Sequence, residues 1–309
     1  MCDIWKGNRN LKQLTPDDID GLLHSLKKLG TQQVLMSGGE ALLNTNFFRL
    51  CEILKEISVS ITLLSTGLTL AHHAEKIADW VDEVIISLDG GNDLHDSIRN
   101  IPGAFQKTCS GVKALKQLRP DFPISARTVI HKLNFRQWPA IIDAAREMGL
   151  DRISFLPADT TSHAFNRETA WDSERQQEIL PAETELDEMQ QVFDHILYKY
   201  EPLFENGFIA ESPTKLKKIL EHYGAAYGRN LFPYKKCNAP WVSTVIEADG
   251  TVRPCFFHEA IGNIREHGFE QILNGAKAKK FRKELDVHSD STCVKCVCYL
   301  NLPPRAAVV

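Results

Sequence analysis

Short apolar runs separated by amphipathic helical stretches fill the first half of the chain, and few architectures accommodate that alternation. Gln33–Met36, Val59–Leu64, Glu83–Leu88, Ile124–Ile130 and Arg152–Leu156 read as strands. Helical periodicity over Asn46–Ile57, Ala71–Trp80, Ala104–Leu118 and Phe135–Met148 occupies the gaps between them. A strand, a helix and another strand in so few residues imply a parallel pair joined by a helical crossover, with the strands covered on their faces. Ahead of the first strand, Thr15-Pro16-Asp17-Asp18 starts a helix with a hydroxyl cap, Pro at the first helical position and acids on the positive dipole end. Gly30 ends it. The fold class is α/β, a parallel sheet built from successive βα steps.

After Pro157 the texture changes. Ala158 to Thr184 is polar and irregular, and amphipathic helices follow near Leu186–Tyr200 and Thr214–Tyr227. Past Cys237, Val242–Glu247, the turn Ala248-Asp249-Gly250 and Thr251–Pro254 read as a β-hairpin, with short helices near Phe269–Leu273 and Lys277–Leu285 behind it. The chain therefore divides at 1–157, 158–235 and 236–309. With 43% hydrophobic and 25% charged residues it has an ordinary globular composition, and a net charge of −4 leaves no basic footprint for nucleic acid or an anionic membrane surface. No apolar run approaches the roughly 18 residues of a membrane helix. Met1 to Lys6 lacks the layout of a signal peptide, so the expected compartment is the cytoplasm.

Three consecutive strands end in small polar groups: Ser37-Gly38-Gly39-Glu40, Ser65-Thr66-Gly67 and Ser87-Leu88-Asp89-Gly90-Gly91. In parallel α/β architectures that end of the sheet binds ligands. Glycines there let the backbone approach a ligand, and Glu40 is suited to an ammonium group. Eight cysteines are too few for a secreted disulfide scaffold, and five of them, Cys237, Cys255, Cys293, Cys296 and Cys298, crowd into the last quarter. In a reducing compartment such a group binds metal. Cys51 and Cys109 lie on apolar helix faces and are expected in the core.

Cys2-Asp3-Ile4-Trp5, the Gly-Gly-Glu, Ser87-Leu88-Asp89-Gly90 followed by His95-Asp96 and Arg99, and the late cysteines together resemble the radical S-adenosylmethionine (AdoMet) enzymes, in the subgroup with a C-terminal SPASM or Twitch domain. The resemblance implies a partial (β/α)6 barrel lacking its first strand and a small Twitch domain of hairpin and helices. It also implies AdoMet and [4Fe–4S] clusters as cofactors, and hydrogen abstraction from a peptide or small-molecule substrate. A reductant such as flavodoxin or ferredoxin would be a partner. Carried over residue by residue, Cys2 matches the third cysteine of a Cys-x3-Cys-x2-Cys loop and Met1 the residue near the adenine. Gly38, Gly39 and Glu40 match the segment holding the AdoMet amino group, and Ser87 and Asp89 the segment facing ribose and carboxylate. Arg99 and Arg127 are looser candidates for the carboxylate, with solvent or a helix cap as their expected surroundings. The chain begins inside the cysteine loop. One thiolate cannot hold a cubane that needs three protein ligands, so the chain from Met1 alone is expected to be silent toward AdoMet.

Cys237-x12-Gly250-x4-Cys255 places two thiols at the ends of the hairpin, and Cys293-x2-Cys296 supplies two more. By spacing alone these four suit zinc or [4Fe–4S] about equally. The layout resembles a Twitch domain with one auxiliary cluster, Cys298 being a spare that competes with Cys296. A catalytically inactive remnant serving as an iron–sulfur or zinc-binding module is the alternative. In some peptide-modifying relatives an Asp directly follows the hairpin's second cysteine; here Phe256 does, which disfavours sulfatase maturation. Ala158–Thr184 is the expected source of substrate contacts. His72-His73 and the basic face of Lys277, Lys279, Lys280, Arg282 and Lys283 read as solvated, with docking of an acidic partner as the sharper reading of the basic face, and Trp241 reads as packing under the hairpin.

Overall fold

The computed structural model describes residues 12–164, 167 and 170–303. Met1 and Cys2 lie outside the described residues. Helix α1 (Pro16–Lys28) starts as its sequence dictates: the Thr15 hydroxyl accepts the Asp18 amide hydrogen, and the Asp18 carboxylate accepts that of Thr15. It buries Ile19, Leu22 and Leu26.

The strands β1 (Gln33–Met36), β2 (Ser60–Ser65), β3 (Glu83–Ser87), β4 (Ile124–Ile130) and β5 (Arg152–Pro157) form one parallel sheet in chain order. Helices α2 (Phe47–Lys55), α3 (Leu70–Trp80), α4 (Asn92–Arg99), α5 (Ala104–Leu118) and α6 (Trp138–Glu147) make the crossovers. This is an open piece of a (β/α) barrel. Helix α4 has no counterpart in the sequence reading, because Asn92-Asp93-Leu94-His95-Asp96-Ser97-Ile98-Arg99 carries almost no apolar face; His95 is its one buried residue.

The sheet departs from the expected double burial. Along β4 burial alternates, with Ile124, Ala126, Thr128 and Ile130 under the helices and Ser125, Arg127 and Val129 half-exposed. The less buried face is polar. Gln33 Nε2 donates to Thr62 Oγ1 at 2.8 Å, and the Glu83 carboxylate accepts from Thr62 and Ser125 hydroxyls at 3.4 and 3.5 Å. A barrel interior that receives a polar ligand needs such a lining, which a continuous apolar pattern does not announce.

Helices α7 (Ser173–Ile179), α8 (Leu186–Lys199), α9 (Glu201–Glu205) and α10 (Pro213–Ala226) follow. Tyr223 of α10 is wholly buried, its hydroxyl donating to the Ile130 carbonyl and accepting the Ala158 amide hydrogen. Before α7, Asp159 and Arg167 form a buried ion pair at 2.8 Å, with the guanidinium also on the Asp159 carbonyl and 3.9 Å above the Trp171 ring.

In the C-terminal region Ala239–Val242 is a short helix, α11, so the hairpin strands are shorter than expected: β6 (Val245–Ile246) and β7 (Thr251–Arg253). A third strand, β8 (Gly262–Asn263), completes an antiparallel sheet. Gly250 makes the turn at φ +84°, where a Cβ would meet Asn263 Oδ1 at 2.8 Å. Trp241 is 48% exposed rather than packed beneath the hairpin, since α11 turns it outward. Cys51 is fully buried, whereas Cys109 is half-exposed at the margin of α5. Helices α12 (Phe269–Asn274), α13 (Ala276–Glu284) and α14 (Ser291–Lys295) end the fold. This region rests on α1 through Arg265–Asp18 at 2.7 Å and Glu270–Lys28 at 2.7 Å. Among the described residues no helix is long and apolar enough to cross a membrane.

Candidate functional site

The carboxyl ends of β1 to β4 converge on one edge of the sheet. After β1, Gly38 adopts φ +152°, and Glu40 enters a short 3-10 turn whose Leu42 amide it caps. One Glu40 oxygen then accepts from the Ser65 hydroxyl at 3.0 Å and from the Thr66 amide and hydroxyl at 2.8 and 2.5 Å. Four donors thus fix the carboxylate between β1 and β2. No lysine or arginine pairs with it among the described residues, which suits an ammonium partner.

At the end of β3, Ser87 stands in register with Arg127 of β4, whose Nε donates to Ser154 at 3.4 Å. Arg127 is therefore a strand residue on the open face, and neither a cap nor a surface group. Asp89 is buried and pairs with Arg99 at 2.7 Å, so Arg99 likewise departs from its expected solvated place. Around that pair lies a polar nest the sequence reading missed. The Asp89 amide donates to His95 Nδ1 at 3.1 Å, and Asn134 Nδ2 donates to the Asp89 carbonyl at 3.1 Å. Buried His131 accepts the Leu133 amide hydrogen on Nδ1. Burial holds His95 below the ordinary histidine range and takes His131 to about 4. Both rings are neutral, with Nδ1 an acceptor and Nε2 a donor. His95 Nε2, His131 Nε2 and Arg99 Nε are buried without hydrogen-bond partners. Three orphaned donors beside Asp89 are what a polar ligand at this edge would satisfy.

Cys237, Cys255, Cys293, Cys296 and Cys298 are free thiols in one neighbourhood, with Cys298 exposed and the other four partly buried. Burial first, then neighbouring thiols, raises Cys255 and takes Cys296 to about 12; burial and Asp290 push Cys293 higher still. Cys296 Sγ donates to the Cys298 carbonyl at 3.2 Å, so Cys298 enters through its backbone. Buried Lys235 donates to the Val294 carbonyl at 2.6 Å, holding the Cys293-x2-Cys296 turn. His258 Nε2 is 3.3 Å from Cys293 Sγ and 4.0 Å from Asp290. Among the described residues, the one trio of donor atoms within 4.8 Å of one another is His258, Asp290 and Cys293; no three thiols are that close. Neither Lys235 nor His258 figured in the sequence reading, although Cys255-x2-His258 mirrors Cys293-x2-Cys296. Leu156 and Pro157 at the end of β5 line one hollow with Lys235 and Cys296.

Comparison with known proteins follows the same division. Residues 1–145 match the radical SAM superfamily, and residues 237–297 match the SPASM iron–sulfur cluster-binding domain. The AdoMet-dependent heme synthase of Methanosarcina barkeri is 25% identical over 290 residues, 89% of this chain and 76% of its own length. The Fe-coproporphyrin III synthase of the same organism is 25% identical over 323 residues, 96% of this chain and 77% of that protein. Among solved structures, Streptococcus suis SuiB bound to its precursor peptide SuiA superposes with a TM-score of 0.60 at 14% identity, covering 93% of this chain and 64% of SuiB.

Proposed function

From the match of residues 1–145 to the radical SAM superfamily and of residues 237–297 to the SPASM iron–sulfur domain, we propose that the chain is an AdoMet-dependent radical enzyme with one auxiliary [4Fe–4S] cluster. The observation that carries the reading is the placement of Glu40, Ser87 and Asp89 after consecutive strands at one edge of the parallel sheet. When bound, a reduced [4Fe–4S] cluster and AdoMet supply a 5′-deoxyadenosyl radical that abstracts hydrogen from substrate. The chain's own residues then have positional tasks. Gly38 and Gly39 let the backbone approach AdoMet, and Glu40 receives its ammonium group. Ser87 and Asp89 face the ribose and carboxylate. Met1 and Cys2 lie outside the described residues; by the family motif Met1 would be the residue near the adenine and Cys2 one ligand of the AdoMet-binding cluster.

In the C-terminal region Cys237, Cys255, Cys293 and Cys296 hold the auxiliary cluster. Their spread fits ligands to separate irons better than ligands to a single zinc ion, which would draw its donors closer together. The substrate is a peptide or a small molecule: the SuiB likeness supports the first, and the heme synthase the second. The exposed lysines Lys277, Lys279, Lys280 and Lys283 suit docking of a small acidic electron carrier such as flavodoxin or ferredoxin. The working compartment is the reducing cytoplasm, where such thiols stay available.

The test has two arms under anaerobic reconstitution. Cys255→Ser should abolish the auxiliary cluster's visible absorption while Cys298→Ser keeps it; loss on Cys298→Ser overturns the ligand set. In protein whose AdoMet-binding cysteine loop is complete, Glu40→Gln removes a charge-assisted contact of about 1.5–3 kcal/mol, roughly 10- to 150-fold in AdoMet affinity. Unchanged affinity and 5′-deoxyadenosine yield would reject the role of Glu40.

A further inference from the structure

We propose that His258 donates a hydrogen bond from Nε2 to the Cys293 sulfur and thereby raises the reduction potential of the auxiliary cluster. The proposal rests on the reading of Cys237, Cys255, Cys293 and Cys296 as a [4Fe–4S] site.

The contact is built from both sides. His258 follows β7 in the turn that begins at Cys255, and its amide donates to the Cys255 carbonyl at 3.3 Å. Arg253 Nη1 donates to the His258 carbonyl at 3.0 Å while its Nε is held by Glu247. The imidazole is 10% exposed and meets the Phe281 ring of α13 edge-on at 4.9 Å. On the other side, Asp290 Oδ1 accepts the Thr292 and Cys293 amide hydrogens, which fixes Cys293 at the start of α14. Two separate elements thus bring Nε2 to 3.3 Å from Sγ, a hydrogen-bonding separation for sulfur.

An iron-bound thiolate has no proton, so in the holoprotein the nitrogen is the donor. It is not an iron ligand: four thiols already supply one ligand to each of four irons, and a nitrogen this close to Cys293 Sγ would have to share its iron. Reduction adds a negative charge to the cluster, and a donor aimed at a ligand sulfur stabilises the reduced form more than the oxidised one. The Asp290 carboxylate, 4.0 Å from Nε2, opposes this but already accepts two amide hydrogens. Lys235, anchored on the Val294 carbonyl, acts in the same direction as His258.

The experiment is an EPR-monitored redox titration of the auxiliary cluster in the reconstituted full chain, compared with His258→Phe and His258→Asn. Both variants should keep the parent's iron and sulfide. At a fixed poise the Phe variant should lose about tenfold in its reduced-to-oxidised ratio, a downward shift of about 59 mV for one electron. The Asn variant, which retains an N–H donor, should lie between. An unchanged midpoint in the Phe variant overturns the proposal, and so does loss of iron in both, which would make His258 a ligand. Should the Phe variant not fold, pulsed EPR of the parent decides: a rapidly exchanging proton coupled to the cluster supports the donor, and its absence refutes it. A parent that takes up zinc and no sulfide instead overturns the cluster reading itself, whatever the His258 variants do.

Discussion

Replacing Arg167 by Met strips the Asp159 carboxylate of its counter-charge while leaving an apolar stem above Trp171. The pair is almost fully withdrawn from water, with side chains 4% and 2% exposed. Asp159 also accepts from the Ser162 hydroxyl and from the Thr161 and Ser162 amides, so its acceptor sites are committed within this turn. Removing one partner of a buried pair costs about 3–5 kcal/mol, because the remaining charge is left uncompensated. That cost is paid locally, through opening of the segment between β5 and α7, before the sheet is affected. Amide hydrogen exchange at Thr161, Ser162 and Ala164 should therefore accelerate by roughly 10²- to 10⁴-fold, while core amides of β3 and β4 stay protected. The double variant Asp159→Asn/Arg167→Met removes both charges and should recover most of the protection. Less than tenfold acceleration in the single variant, or a double variant as exposed as the single, would refute the account.

Acid should destabilise the fold through two buried histidines. Burial sets His131 at about 4 and His222 at about 3 in the native state, against about 6.5 unfolded, so the unfolded chain binds protons that the native one refuses. Their stabilising effect is complete above about pH 6.5 and erodes below it, by on the order of 2 kcal/mol per group at pH 5. The urea midpoint should fall between pH 7 and 5, and less so in a His131→Gln/His222→Gln variant; an equal fall in both would exclude these groups. Gly111→Ala on α5 would bring a Cβ to 2.5 Å from Leu70 Cβ on α3, so overpacking of about 1–3 kcal/mol should lower the melting temperature. Gly21→Ala on α1 meets nothing within 4 Å and should instead stabilise by about 0.5–1 kcal/mol. Similar melting temperatures for the two would contradict the packing described.

The parallel sheet was legible because β-branched and aliphatic runs are hard to place otherwise; Ala104–Leu118 and Ile124–Ile130 have the bounds their periodicity predicts. Helix α4 was not legible, since its order comes from Asp96 accepting the Gly103 and Phe105 amides and not from an apolar stripe. Strand β8 escaped because two residues, Gly262 and Asn263, carry no period. At the candidate site, Glu40, Ser87, Asp89 and the cysteines announce themselves by residue type and by their place after a strand or in a spacing. His131, Asn134 and Lys235 acquire their meaning only from groups 40 or more residues distant, such as the Asp89 carbonyl 45 residues from Asn134. Arg99 and Arg127 look alike in sequence; only the register of β4 and the bend after β3 separate an ion-paired residue from one lining the open face.

The ion pair between Asp18 and Arg265 spans 247 positions of the chain. At a ribosomal rate of roughly 5–20 residues per second, α1 is made on the order of 10–50 s before its partner emerges. Throughout that interval the acidic first turn of α1 and the flank later met by α12 face water, nascent chain or chaperone. Helix α1 is thus among the last of the described elements to find its whole surroundings, and translation speed through the C-terminal region sets how long it waits.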